Sequence, residues 1–484
     1  MQKYLMILEV SQKQAYIFGS RVLKENIRRS AQIAYVTGSD FFERVCPGGY
    51  SREKNLVYSG GGHTVLQFDT KEAADALARA VTKEVLCSYP EMELFVKTMA
   101  FDENEDPGAC LNELSRALEE KKAKRELSFR LFSLGIEKEH AASASENSPE
   151  NVSREAVTSW MHAGNKPWRL SDKTDEIAGD DNFLAVIHID GNAMGTRVQN
   201  IYEACSGDWE KCKQTLRLFS RSIDEDFAEA YEEMAKELGR ELEQTENTWW
   251  REKNLLPLRK IVGAGDDVCF ITAGYYGLEC AASFLRHLSS KQNKADGQYY
   301  TACAGVVLIH TKFPFRRAYD LSETLCSSAK VFAAGWGGNI SAIDYHIEFG
   351  QLKDSLSEIR EDYRTDDGGC LELRPLAVAG SGLEEVESFR QYNFLRELLN
   401  KLKRPDLARG KLKELRSAFR QGEQESKLAM RMTQTERILL NIIKSVYPDS
   451  EDPEVFITDE SGNRRCLLFD AIEIADNIQL WQGR

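Results

Sequence analysis

The most chemically charged feature of the sequence is a pair of adjacent aspartates on a tight turn. Gly263-Ala264-Gly265-Asp266-Asp267 separates two apolar runs within LRKIVGAGDDVCFITAG, residues 258–274. Acidic pairs on exposed turns are common and mean little. Here the apolar flanks predict two buried strands, so the pair is held rigidly at a sheet end. Two like charges fixed there repel each other and need a cation. The small residues before them let a triphosphate approach the backbone closely. A further carboxylate, Asp190, ends the run FLAVIHID, 183–190, and leads into Gly191-Asn192-Ala193-Met194-Gly195. If that strand neighbours the hairpin, Asp190, Asp266 and Asp267 converge as hard oxygen ligands suited to Mg²⁺ or Mn²⁺. Two ions held there would activate a ribose 3′-hydroxyl and neutralise the attacked phosphate.

The elements that must position these acids occur in two similar series. YLMILE (4–9) reads as a strand and 20–45 as helical. NLVYSGGGHTVLQFD (55–69) reads as a hairpin, 71–87 as a helix, 93–101 as a strand and 107–128 as a helix. Residues 135–180 interrupt the order. IEKEHAASASENSPENVSRE, within them, lacks large apolar groups and reads as a linker or as a solvated helix. The order then resumes: strand 183–190, helix 209–238, hairpin 258–274, helix 275–291, strand 300–310, helix 315–333 and strand 340–347. Two copies of strand–helix–hairpin–helix–strand imply two related α+β domains. The expected boundaries are 1–134, a linker at 135–180, 181–350, and a mostly helical region from 351 to 484 with a hairpin around Ser461-Gly462-Asn463.

The chain has 484 residues, and domains usually run to about 100–200. With 42% hydrophobic and 29% charged residues it is not disordered as a whole. Sixty-three basic residues against 77 acidic give a net charge of −14, which excludes coating of long nucleic acid by bulk charge. The stretch 396–431 runs against that balance, with eleven Lys/Arg to five Asp/Glu, a local charge of 11 − 5 = +6. It reads either as a solvated helical face or as a contact for RNA or an acidic partner. Eleven irregularly spaced cysteines without a C-x-x-C pair argue against a zinc ribbon and for reduced thiols in the cytoplasm. No signal core and no membrane-length apolar stretch is evident.

Five elements in order resemble the large polymerase/cyclase subunit of type III CRISPR effectors, the Cas-ten/Cmr-two palm family. They are IDGNAMG (189–195), AGDD (264–267), CAGVV (303–307), Ala329-Lys330 and SAIDYH (341–346). EVSQKQAYIF (9–18) and SGGGHTVL (59–66) resemble the family's first palm. The resemblance implies two tandem ferredoxin-like palm domains with a C-terminal helical domain. Only the second palm is expected to be catalytic, through Asp190, Asp266 and Asp267. Its metal ligands would be these three and Gly191, holding two Mg²⁺ or Mn²⁺ ions. The first palm has Gly62-His63 where the second has Asp-Asp, so it is expected to hold a nucleotide and no metal. The nucleotide-binding candidates are Gly61, Gly62, His63, Asn192, Gly263, Ala264, Gly265 and Lys330. For His63 packing within its hairpin is the plainer role; Lys330 reads as a surface lysine or a triphosphate contact.

The sequence departs from the family pattern at Asn192, where a second Asp is usual, and at Ala264, where Gly is usual. It has no His-Asp dipeptide, so nuclease activity of the HD type is not expected. The implied reaction turns ATP into a cyclic oligoadenylate with release of pyrophosphate. Other nucleotide signals, a palm-fold scaffold and template-dependent polymerisation remain as alternatives. ATP or another NTP, RNA and CRISPR effector subunits are the implied partners, with no membrane and with oligomerisation left open.

Overall fold

The computed structural model describes residues 2–124, 159–205, 207–245, 248–350, 353, 355–448 and 453–481. The first repeat is an antiparallel sheet of β1 (Gln2–Ser11), β2 (Leu56–Gly60), β3 (His63–Phe68) and β4 (Glu93–Asp102), in the order β2-β3-β1-β4. Its central strand is apolar on both faces because both are covered. Leu5 and Ile7 join the core shared with helices Pro107–Ala123 and Trp209–Gln244. Met6, Leu8 and Val10 join the core shared with helices Leu23–Val36 and Lys71–Ser88. This is the period-2 alternation of a strand between two layers. Helix starts are marked locally: Thr70, Asp106 and Asp208 each accept a backbone N–H of the turn they precede.

Much of the expected linker, 135–158, lies outside the described residues. Its last part, 159–180, contains strands, which corrects the expectation. β5 (Trp160–Ala163) and β6 (Lys166–Leu170) form a hairpin, and β6 runs parallel to β8 (Leu255–Leu256). Gly164 at φ +64 makes the turn, and Trp168 is fully buried with its indole N–H on the Ala163 carbonyl at 2.8 Å. A buried tryptophan with a satisfied N–H anchors this piece.

The second repeat uses β7 (Phe183–Gly191), β9 (Leu258–Ala264), β10 (Asp267–Ala273) and β11 (Ala302–His310) in the order β9-β10-β7-β11, the same as in the first. The sheet then continues into β12 (Ser341–Ile347), parallel to β11, and β13 (Leu376–Ala379), antiparallel to β12. Helix Phe315–Gly335 makes the crossover. It lies so close to β11 that a Cβ at Gly305 would stand 1.8 Å from the Ser322 carbonyl oxygen, which explains the glycine in CAGVV.

Because β13 completes this sheet, the expected domain break at 350 falls inside it. A buried charge cluster fastens the tail further. Asp344 of β12 accepts from Arg360 at 2.5 Å, and Glu372 accepts from Arg360 and, at 2.9 Å, from Arg374. The rest of the tail is helical: Tyr392–Leu402, Arg409–Gln421, Glu423–Met432 and Glu436–Val446. Helices Glu423–Met432 and Glu436–Val446 are separated because Gln434 turns left-handed (φ +58), between two threonines whose hydroxyls bond each other at 2.9 Å. The terminal hairpin, β14 (Phe456–Thr458) with β15 (Arg464–Cys466), precedes helix Phe469–Ile474. All eleven cysteines are free, and among the described residues no helix is long and apolar enough to cross a membrane.

Candidate active site at the seam of two hairpins

Sheet register brings the expected acids together. Asp190 at the end of β7 is paired directly with Asp267 at the start of β10. Asp266 occupies the turn between, packed on Gly191: a Cβ added at Gly191 would lie 3.0 Å from the Asp266 Cβ. Burial, then the field of Asp190, pushes Asp266 up to about 6. The same two causes push Asp267 up to about 7, against the pull of Lys13 and Lys330. Asp267 Oδ1 is sealed from solvent and has no hydrogen-bond partner, although 41% of the side chain remains open. His188 Nδ1, 3.6 Å from it, is buried and held below its usual pKa by that burial.

Lys330 lies against this group. Its ammonium donates to Asp190 Oδ2 at 2.7 Å and to the Gly191 carbonyl at 2.9 Å. Burial opposes its charge, but Asp190 outweighs burial and the net shift is upward. With Asp190 and Gly191 engaged by Lys330, no three acidic, His or Cys side chains among the described residues form a ready-made ion cage. The donor set still fits a hard cation. Two carboxylates whose ionisation the fold resists, one with an orphaned oxygen, gain from a cation in place of protons.

Asn192 is turned inward. Its amide donates to Thr301 Oγ1 and to the Ile340 carbonyl, each at 3.2 Å, tying the end of β7 to the segments entering β11 and β12. Gly263, Ala264 and Gly265 line a cleft of about 1020 Å³, whose opposite wall includes Gly60, Gly61 and Gly62. Arg52, Arg217, Arg221 and Lys260 also line it; Asp190, Asp266 and Asp267 do not. The two turns meet: a Cβ on Gly265 (φ +67) would lie 3.3 Å from the Gly61 amide nitrogen. Helix Trp209–Gln244 braces both. Its Ser220 hydroxyl donates to the Ser59 carbonyl, and its Asp224 accepts the Gly265 N–H at 2.9 Å. His63 stands in β3 with its ring edge-on to Tyr58 at 5.5 Å, and burial lowers its pKa to about 4, so it is uncharged at neutral pH.

Several contributors were missed in the sequence. Glu9 is paired in register with His63, as Asp190 is with Asp267. It is therefore the first repeat's counterpart of Asp190, and Lys122 holds it at 2.8 Å as Lys330 holds Asp190. Laying the strand ends LEVSQK and HIDGNAM over each other would have found it. Asp224 has no such signal, because only the fold brings its helix to the turn.

Two tandem sheet units of the same strand order, meeting at their glycine turns, define a two-palm α+β fold. Residues 183–333 match the family model described as Cas10/Cmr2, second palm domain. The fold is similar to that of the Csm1-Csm4 cassette in complex with cA4, with a TM-score of 0.58 at 14% identity over 98% of this chain and 69% of that one. It is likewise similar to the cassette in complex with AMPPNP, with a TM-score of 0.57 at 15% identity over 98% and 69%. For the Csm1-Csm4 subcomplex in the type III-A CRISPR-Csm interference complex the TM-score is 0.56 at 14% identity, again over 98% and 69%. A search of curated proteins finds no match. The chain is Cas10-like: it carries the second palm domain of that family within an α+β fold with a helical tail.

Proposed function

We propose that the protein is a metal-dependent nucleotidyltransferase that joins ATP-derived units into a cyclic oligoadenylate and releases pyrophosphate, in type III CRISPR or related antiviral defence. The observation that carries this reading is the pairing of Asp190 with Asp267, beside Asp266, on a turn that abuts a second glycine turn. Divalent cations held by Asp190, Asp266, Asp267 and the Gly191 carbonyl would neutralise charge at the attacked phosphate. The chain's own groups do the positioning. The backbone of Gly263-Ala264-Gly265 offers a wall without bulky side chains, and Lys330 is placed to move from Asp190 to a phosphate oxygen. Solved relatives described as complexes with cA4 and with AMPPNP support a nucleotide ligand.

The test is incubation with each nucleoside triphosphate and Mg²⁺ or Mn²⁺, followed by mass spectrometry. Cyclic adenylates from ATP are the expected product. A cyclic dinucleotide or a nucleotide–metabolite conjugate would replace the product assignment and keep the chemistry. A scaffold reading, in which the chain binds RNA and effector subunits without turnover, draws on Asn192 being engaged internally. Absence of any product with every nucleotide would favour it.

A further inference from the structure

The two palms can be compared residue by residue, because Glu9 pairs with His63 as Asp190 pairs with Asp267. In this register Gly62 takes the place of Asp266. Each strand then leaves through a left-handed residue, Gln12 (φ +50) in one and Ala193 (φ +57) in the other, and each opens a helix. The first residue of those helices is Lys13 in the first palm and Met194 in the second. Met194 is apolar and packs on Gly191, where its Cε would stand 2.6 Å from an added Cβ. Lys13 instead lies across Gly62: an added Cβ there would meet its Cδ at 2.8 Å and its Nζ at 3.7 Å. One turn thus carries a carboxylate beside a methionine; the other carries a bare glycine beneath an ammonium.

The geometry points to Lys13 as a phosphate-binding residue, one that takes a phosphate of a nucleotide laid along the palm–palm seam on the Gly61-Gly62 turn. This rests on the nucleotidyltransferase reading and says how the metal-free palm would contribute to it. Lys13 is half-buried and donates to the Gly61 carbonyl, which leaves N–H groups of its ammonium uncommitted. Among the described residues no carboxylate lies within ion-pair distance of it, and the neighbouring Glu9 is engaged by Lys122 at 2.8 Å. A half-buried cation that makes no direct ion pair, its carboxylate attraction being the field it exerts on Asp267 across the seam, is well placed for an anion supplied from outside. The surrounding structure fixes it at the seam. Gly61, whose carbonyl it holds, touches Gly265 of the other turn. The next residue, Gln14, donates across to Glu323 at 2.7 Å, and Phe18 stacks on Tyr319 with ring centroids 3.9 Å apart. Both partners sit on the helix that carries Lys330. The charge of Lys13 is felt across the seam, since it helps to hold Asp267 down.

The test measures binding without turnover, on the full chain, using an α,β-methylene analogue of ATP with Mg²⁺ and, separately, adenosine. Lys13→Met keeps the aliphatic stem across Gly62 and removes the charge; Lys13→Arg keeps the charge. The Met variant is expected to bind the analogue about tenfold to a hundredfold more weakly, and the Arg variant is expected to recover most of the loss. Adenosine affinity and melting temperature should match wild type in both. Equal affinity of wild type and Lys13→Met for the analogue overturns the role of Lys13 alone. A loss that extends equally to adenosine, or that tracks a fall in melting temperature, shows a structural lysine and also overturns it. A wild-type protein that binds neither ligand overturns the parent reading, and Lys13 with it.

Discussion

The two palms share strand order, register and an acid–lysine pair at the end of the central strand, yet their turns have opposite electrical characters. In the second, Asp266 and Asp267 crowd beside Asp190, and the fold resists their ionisation. In the first, the corresponding residues are Gly62 and a neutral His63, and the nearby charge is the ammonium of Lys13. The pair of Glu9 with Lys122 and that of Asp190 with Lys330 are common to both palms. What differs is the turn, so function should follow the turn.

The largest expected effect comes from erasing that difference. Asp266→Asn with Asp267→Asn makes the second turn as uncharged as the first, and product formation should fall by about a thousandfold or more. Far-ultraviolet circular dichroism should be unchanged, since the acids stand on a sheet end. Turnover within a fewfold of wild type would remove the assignment. The matched lysines come next. Lys330→Met should lower product formation by about tenfold to a hundredfold, whereas Lys122→Met should leave it near wild type and cost only about 1 kcal/mol of stability. Similar losses in both variants would mean that the pairs act only as struts.

A smaller effect appears in pH dependence. Asp266 and Asp267 have folded values of about 6 and about 7, against about 3.9 for an unfolded aspartate. The folded chain thus binds protons that the unfolded chain has released, and stability falls as pH rises from about 4 through 7. In the presence of chelator, Asp267→Asn should gain in melting temperature relative to wild type as pH rises over that range. Mg²⁺ should raise the melting temperature of wild type at about pH 8 more than that of the variant. A constant gap between the two proteins at all pH values would contradict the raised carboxyl.

The smallest effect belongs to the basic tail. Several of its charges are spent internally: Arg396 on Glu279 at 2.9 Å, Lys411 on the Thr433 carbonyl at 2.9 Å and Lys427 on Glu423 at 2.6 Å. Neutralising Lys401, Lys403 and Lys413 should change folding stability little. It should weaken binding of RNA or an acidic partner at low salt, and the loss should shrink as salt rises. Binding equal to wild type at low salt would leave the stretch a solvated face.

The acids at 190, 266 and 267 were legible in the sequence because their signals are local: an apolar run ending in Asp, and glycines before an Asp pair. The strand order was legible for the same reason. Glu9 and Lys13 were not, since their meaning depends on register with the other repeat and on the space left at Gly62. The 160–170 hairpin was obscured by the polar stretch before it, although Gly164-Asn165 between Trp160 and Trp168 carried a turn signal. The place of β13 depends on pairing with a strand far back in the chain, and no local pattern encodes that.

β13 also bears on how the molecule is made. During synthesis β12 emerges well before residues 376–379, so the second sheet waits with one edge unpaired until the tail is translated. An open edge between apolar faces is a template for pairing with other chains. The wait spans the acidic and basic residues of the 344–374 cluster, which must find one another for β13 to dock. A nascent chain that has emerged beyond residue 350 but not yet to 376 would therefore present a sheet with its acids in place and its flank exposed, the form of this protein most in need of a chaperone.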